Sequence, residues 1–440
     1  MDMTTPLASI GLPVAALCVS FWVMAAAAGC AATGGGGLGA KGGADWLDKP
    51  DIVVSSDGHG DFTTVGKALA SLDPNGKNRV VIFIRDGVYN EHLAIHRSFV
   101  TLRGQSRQGA RIEFALARGD WTKHPDDIGQ AVVNVYGDDV VFQNLTIRNT
   151  QTQPTHAFAL YGEGDRTVTL DCDLLSEGND TVSLWTKQGL GTHYHARCHF
   201  RGRVDFLCPR GWTYVRDSSF YEVGKSAAVW HSIADDPNKK FVLRNCTFDG
   251  ANDFPLGRYH RDHQFYFLDC TFSPHVTRDV VNVVPPDKEQ LKWGHRVYFY
   301  NCHRQGGDAP WHADNLDKAP GHPTPQQITV TWAYDGAWNP ERTDAPKIVK
   351  VARGEDGSRA VLRVTFSEPV TVRGKPELVG TGPGSGQKVK LPYLSGNGSD
   401  TLTFGPPPAD LAADQAHWTF DTWVGTIFAS GAGATLRPVK

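Results

Sequence analysis

The sequence predicts an all-β chain, a right-handed parallel β-helix followed by a small Ig-like β-sandwich, and three observations carry that expectation. First, a four-residue phrase recurs: Asn144-Leu145-Thr146-Ile147, Asp171-Cys172-Asp173-Leu174, Arg197-Cys198-His199-Phe200, Asp217-Ser218-Ser219-Phe220, Asn245-Cys246-Thr247-Phe248, Asp269-Cys270-Thr271-Phe272 and, degraded, Asn301-Cys302-His303-Arg304. Its spacing varies from 20 to 32 residues, as expected of stacked coils whose loops differ while one strand does not. Second, strand alternation turns the second and fourth positions of every phrase inward. Leu145, Cys172, Cys198, Ser218, Cys246, Cys270 and Cys302 then form one ladder, and Ile147, Leu174, Phe200, Phe220, Phe248 and Phe272 another. Third, the texture changes after Ala345 to short alternating strands with Gly and Pro turns, such as AVLRVTFSEPV and DTLTFGP, which indicates a sandwich.

Taken in order, residues 1–30 read as an export signal. No charge occurs from Pro6 to Ala28, and Ala27-Ala28-Gly29 stands before Cys30 as in a bacterial lipoprotein cleavage site, although a positive amino-terminal region is missing. Residues 31–49 are a flexible linker. From Asp51 the chain supplies a short strand, a Gly-rich turn and a brief helix over about 63–72, then the strands of RVVIFIRDGVYNEHLAI. The coil domain is bounded at 50–342 and the sandwich at 345–440.

A net charge of −3 over 440 residues leaves no broad basic surface, so nucleic acid is excluded as a main partner. Of eight cysteines, six lie beyond the export segment. Five of them, Cys172, Cys198, Cys246, Cys270 and Cys302, read as small buried apolar groups in the ladder, with a disulfide between Cys172 and Cys198 as the competing arrangement.

The chemistry concentrates between Ser176 and Arg210, where Asp180 and Asp205 stand in adjacent turns of the coil. Two carboxyls brought to one surface cannot both ionise easily, so one becomes an ionised nucleophile or base and the other a proton donor. His193, His195 and His199 between them suggest a polar rim; lacking a supporting carboxylate motif, they are not assigned a metal. No cofactor is implied.

The phrases DGHGDFTTVGKAL, IRDGVYNEHL, NLTIRNT, THAFAL, SEGNDTVSL, GRVDFLCPRG and PLGRYH, in this order over roughly 51–315, resemble the pectin methylesterases. The resemblance implies that Asp205 is the nucleophile, Asp180 the acid/base and Arg258 the arginine that pairs with the nucleophile. The substrate implied is methyl-esterified polygalacturonate or a related polysaccharide, cleaved with release of methanol and without a metal. The chain departs from the family in telling places. Where the resemblance leads one to expect glutamine as an oxyanion donor, this chain has His156 and Asn179. Pro209-Arg210 replaces Phe-Gly, and Tyr259-His260 replaces Pro-Trp. Tyr259, His260, Arg210, Trp212 and Trp230 are the candidate substrate-binding residues, and Trp185 is a further aromatic near the acid/base.

Two other readings stand beside the esterase: a glycan-binding envelope protein whose altered donors have silenced the chemistry, and an esterase for a differently substituted uronan. The chain is expected to be exported, as a periplasmic, outer-membrane-anchored or secreted monomer that meets a membrane only through lipid on Cys30.

Overall fold

The computed structural model describes residues 50–429 except 77–78, 187–190, 231–234, 284–290, 342–346, 368, 375, 382–387, 410–416 and 422–424. The predicted export segment with Cys30, the linker at 31–49 and the domain boundary at 342–345 lie outside the described residues.

Three parallel sheets of ten, eight and nine strands wind around one core, because each coil contributes a strand to each wall in turn. The coil from Thr167 to Leu184 illustrates the rule. Thr167–Leu170 joins the first sheet, Asp173–Leu175 the third and Val182–Leu184 the second. The next coil pairs with it in register: Asp173 with His199, Leu174 with Phe200, Val182 with Leu207. A brief helix, Val65–Ala70, is capped by the Thr64 side chain, within the span expected.

The recurring phrase has a backbone cause. Its first residue, from Asn144 through Asp171, Arg197, Asp217, Asn245 and Asp269 to Asn301, has φ between 50 and 56° at every turn. Each is a left-handed corner between the first and third sheets. That conformation costs an ordinary L residue about 1–2 kcal/mol and is tolerated best by Asn and Asp. The side chains also tie one coil to the next: Asn245 Nδ2 donates to Asp217 Oδ1 at 2.6 Å, and Asn301 Nδ2 to Asp269 Oδ1 at 2.9 Å.

The second residue turns inward and donates to the carbonyl just before the corner. Cys172 Sγ reaches Leu170 O at 3.2 Å, Ser218 Oγ reaches Arg216 O at 2.8 Å and Cys246 Sγ reaches Arg244 O at 3.3 Å. A small side chain with one proton fits there. All six described cysteines are free and buried, as the ladder reading expected of Cys172, Cys198, Cys246, Cys270 and Cys302; Cys208 lies on the second sheet. The fourth position stacks aromatic rings, Phe200 on Phe220 at 4.9 Å and Phe220 on Phe248 at 4.5 Å. Fully burying such a ring contributes roughly 1.5–3 kcal/mol.

The outer face of the first sheet is covered. Tyr194, Tyr214, Val242 and Tyr266 pack against Leu316, Ile328, Val330, Tyr334 and Trp338 from the chain that follows the last coil. That segment contains two single 3-10 turns, Pro310–His312 and Leu316–Lys318, and the short helix Val330–Ala333. The described strands between 348 and 429 form antiparallel sheets of six and two strands, with Leu362, Val364, Leu378, Leu391, Leu402 and Phe404 in one buried cluster.

Candidate active site

The second sheet carries the site on its outer face. In its strands Val182–Leu184, Leu207–Pro209 and Phe254–Tyr259, alternate residues point outward, and Ser183, Cys208 and Arg258 do so beside Tyr161 and Trp230. Asp180 and Asp205 lie two residues before the paired Val182 and Leu207, so consecutive coils deliver them to equivalent positions. Both are left-handed, with φ of 59° and 52°. Their amides stay within the coil ladder, Asp180 N donating to Val204 O at 2.9 Å and Asp205 N to Ala227 O at 2.8 Å. Backbone strain of this kind persists only where the surroundings over-determine it.

Arg258 holds Asp205 side-on. Its Nε donates to Oδ1 at 2.9 Å and to Oδ2 at 3.1 Å, and its Nη2 to Oδ2 at 2.5 Å. Burial pushes the Asp205 carboxyl up, and the guanidinium opposes it. Asp180 has no such partner. Burial, and then the charge of Asp205, push its pKa up to about 8 against the pull of Arg258, Arg118 and Arg210. The doubly bonded guanidinium favours the anion at Asp205 against that burial, while Asp180 is the acid at neutral pH.

His156 and Asn179 are joined by an isolated parallel bridge on adjacent coils. His156 Nε2 lies 3.5 Å from Asp180 Oδ2. Desolvation, followed by Arg118 and Arg258, lowers the His156 pKa, so this contact at neutral pH joins a neutral imidazole and a protonated carboxyl and is not an ion pair. Both can donate a hydrogen bond to a group placed between them.

Three arginines surround Asp180. Besides Arg258, Arg210 stacks on Trp185 at 3.9 Å and faces Trp230 at 5.7 Å. Arg118 lies over Phe158 at 5.8 Å and Trp185 at 5.6 Å. Trp230 in turn meets His260 at 5.0 Å.

Residues 51–267 match the Pectinesterase family. Through this segment the chain belongs to the pectinesterase family. Pectinesterase 2 of Arabidopsis thaliana is 27% identical over 47% of this chain and 35% of its own length, and pectinesterase QRT1 of the same plant is 24% identical over 59% and 72%. Pectinesterase 2 of Citrus sinensis is 26% identical over 47% and 40%. The chain thus spans between 35% and 72% of the length of these relatives. Among solved structures, a pectin methylesterase in complex with a hexasaccharide superposes with a TM-score of 0.53 at 23% identity, covering 67% of this chain and 99% of that one. Pectin methylesterase PemA from Erwinia chrysanthemi gives 0.52 at 22%, covering 66% and 98%. At such identity these likenesses are of fold, and the fold is the parallel β-helix.

All five expected catalytic positions, His156, Asn179, Asp180, Asp205 and Arg258, fall inside the pectinesterase segment and are brought together. The expected substrate-binding set divides. Arg210, Trp230 and His260 join the cluster. Tyr259 does not: alternation after Arg258 turns its ring into the core, fully buried, with its hydroxyl 2.7 Å from His295 Nδ1. Trp212 is on the first sheet, packed into the cluster that the 316–338 segment completes. The histidine rim is also corrected. His193 and His195 are fully buried inside the coil, where desolvation pushes each pKa down to about 3, and His199 lies beyond a corner on the third sheet. Arg118 had no signal in the sequence, since only the bond from its amide to His156 O, 2.8 Å, places it here.

Proposed function

We propose that this protein is an exported pectinesterase-like carboxylic ester hydrolase that removes methyl groups from the uronates of pectin. Asp205, kept ionised by Arg258, attacks the C6 carbonyl of an esterified galacturonate. Asn179 and His156 donate hydrogen bonds to the oxyanion that develops, where donors set in advance contribute most. Asp180 gives its proton to the departing methoxide, which leaves as methanol, and the sugar acid remains joined to Asp205 as an anhydride. The Asp180 carboxylate then takes a proton from a water molecule as that water attacks the acyl carbon. Uronate is released, and both aspartates return to their starting protonation states.

The observation that carries this reading is the unequal environment of two neighbouring acids, with Asp205 bonded twice over by Arg258 and Asp180 buried without a cationic partner of its own. Membership of the pectinesterase family supports the substrate class. The reading includes the export route, a monomeric chain and attachment through Cys30 to an outer membrane. The test is methanol release from highly methylated pectin by the full chain and by Asp205→Ala. Release that survives the substitution removes the mechanism, and absence of release from the unsubstituted chain removes the substrate.

A further inference from the structure

Glu222 is an acid inside the coil. It closes the strand Ser219–Glu222 of the third sheet, and alternation from the core residue Phe220 turns it inward, where it is fully buried. Its in-register neighbours on the coils before and after are Gly202 and Gly250. Phe206 and Phe254 fill the places their side chains would take, since a Cβ on Gly202 would lie 2.4 Å from Phe206 Cβ and one on Gly250 2.8 Å from Phe254 Cε1. An acid is costly to bury in such surroundings, because its charge loses water and its oxygens need partners. Oε1 accepts from Gly224 N at 2.6 Å, while Oε2 is buried without a partner among the described residues. Burial pushes the carboxyl pKa up to about 8; the Gly224 amide and Arg203 oppose the rise and Asp205 adds to it. At neutral pH Glu222 is therefore mostly uncharged.

The turn that this carboxyl holds is the one that reaches the nucleophile. Asp205 has a left-handed backbone, φ 52°, which persists only where its surroundings fix it. Its amide donates to Ala227 O at 2.8 Å. Ala227 stands in a turn of six residues between Glu222 and Val229, whereas the turn one coil earlier, between Gly202 and Leu207, has four. The longer turn has more freedom to lose and needs more to fasten it. Val223 N donates to Gly202 O at 2.8 Å, Gly224 N to Glu222 Oε1, and Asn252 Nδ2 to Gly224 O at 3.0 Å. The approach of carboxyl to turn is close, for a Cβ on Gly224 would lie 2.7 Å from Glu222 Oε1. The shorter turn has no acid at the matching place, where Gly202 stands.

Resting on the function proposed above, we infer that Glu222 is a positioning residue for the nucleophile: from inside the coil its carboxyl fixes the turn 223–228, and through Ala227 O that turn holds the Asp205 backbone in place. The bond at Oε1 needs an acceptor and not a charge, so an uncharged side chain with an oxygen there is sufficient. The buried acid thus serves the reaction rather than the fold.

The test compares the full chain with Glu222→Gln, Glu222→Leu and Gly224→Ala. Methanol release from highly methylated pectin gives kcat and KM, and amide hydrogen exchange gives the protection of the Asp205 N–H. Glu222→Leu fills the same space without the acceptor. It is expected to lower kcat about tenfold with KM unchanged, since a misplaced nucleophile loses rate and not binding, and to speed exchange at Asp205. Glu222→Gln keeps an acceptor oxygen and is expected to match the unsubstituted chain in both readings. Should Glu222→Leu fail to fold, Gly224→Ala presses on the same carboxyl from the side of the turn and is expected to give the same loss of kcat at unchanged KM. Full kcat in a folded Glu222→Leu or Gly224→Ala, a change confined to KM, or a Glu222→Gln as impaired as Glu222→Leu overturns the inference. If the unsubstituted chain releases no methanol, the esterase reading falls and exchange at Asp205 decides alone: faster in Glu222→Leu and restored in Glu222→Gln sustains the anchor, and unchanged in both overturns it.

Discussion

Arg258 grips Asp205 through two nitrogens, Nε at 2.9 Å and Nη2 at 2.5 Å, and makes no such bond to Asp180. That asymmetry separates the two carboxyls. A lysine keeps the charge but offers a point contact in place of a fork. Arg258→Lys is expected to lower kcat by on the order of 10–100-fold through misplacement of the nucleophile. With the opposing cation weakened, burial raises the Asp205 pKa further, so the acid limb of the pH–rate profile moves to higher pH. An unmoved acid limb would contradict the assignment.

The proposed mechanism needs Asp180 to enter the cycle protonated. With a pKa pushed up to about 8, it loses that proton as pH rises, and kcat/KM is expected to fall above about pH 8. The same shift makes Asp180 a cost to stability. The folded state binds a proton there that the unfolded chain releases near pH 4, so stability from this group declines as pH rises from about 4 and levels off above about 8. Asp180→Asn removes the titration. It is expected to abolish turnover while adding on the order of 1–3 kcal/mol of stability at pH 8, read by urea unfolding.

His156 is neutral at working pH, since desolvation and the nearby arginines lower its pKa. In the proposed mechanism it is an oxyanion donor and acts on kcat. His156→Ala is expected to cost about 100-fold in kcat with little change in KM, and His156→Gln, which restores an amide donor, to recover part of the loss. A change confined to KM would make His156 a binding residue only.

The corner at Asn245 tests the fold by itself. Asn245→Ala loses both tolerance of φ 51° and the bond to Asp217, and is expected to cost about 1–2 kcal/mol. Asn245→Gly loses only the bond and should be the milder change. Equal losses would mean that the left-handed corner is not the constraint.

Phe220 is sandwiched between Phe200 and Phe248. Phe220→Ala leaves a cavity between rigid coils that cannot close upon it, and the expected loss is about 3–5 kcal/mol in denaturant unfolding.

The coil was legible because its information is local. A left-handed corner admits Asn or Asp, the next position a small thiol or hydroxyl, the fourth a large apolar ring, and these demands repeat wherever the chain turns. Asp180 and Asp205 were legible for a related reason, standing at matching points of neighbouring coils. Nearness to the motif along the chain does not place Tyr259 and Trp212 in the groove. Parity after Arg258 turns Tyr259 inward, and Trp212 belongs to a wall that residues more than a hundred positions later cover.

Residues in this chain thus specify their own corners, their ladder positions and the pair of acids, since steric and hydrogen-bonding limits act within a few bonds. The protonation of those acids, the wall each aromatic faces and the meeting of Arg118 with Arg210 on Trp185 arise only on folding. They depend on burial and on distances between charges far apart along the chain, and neither exists until the coils are stacked.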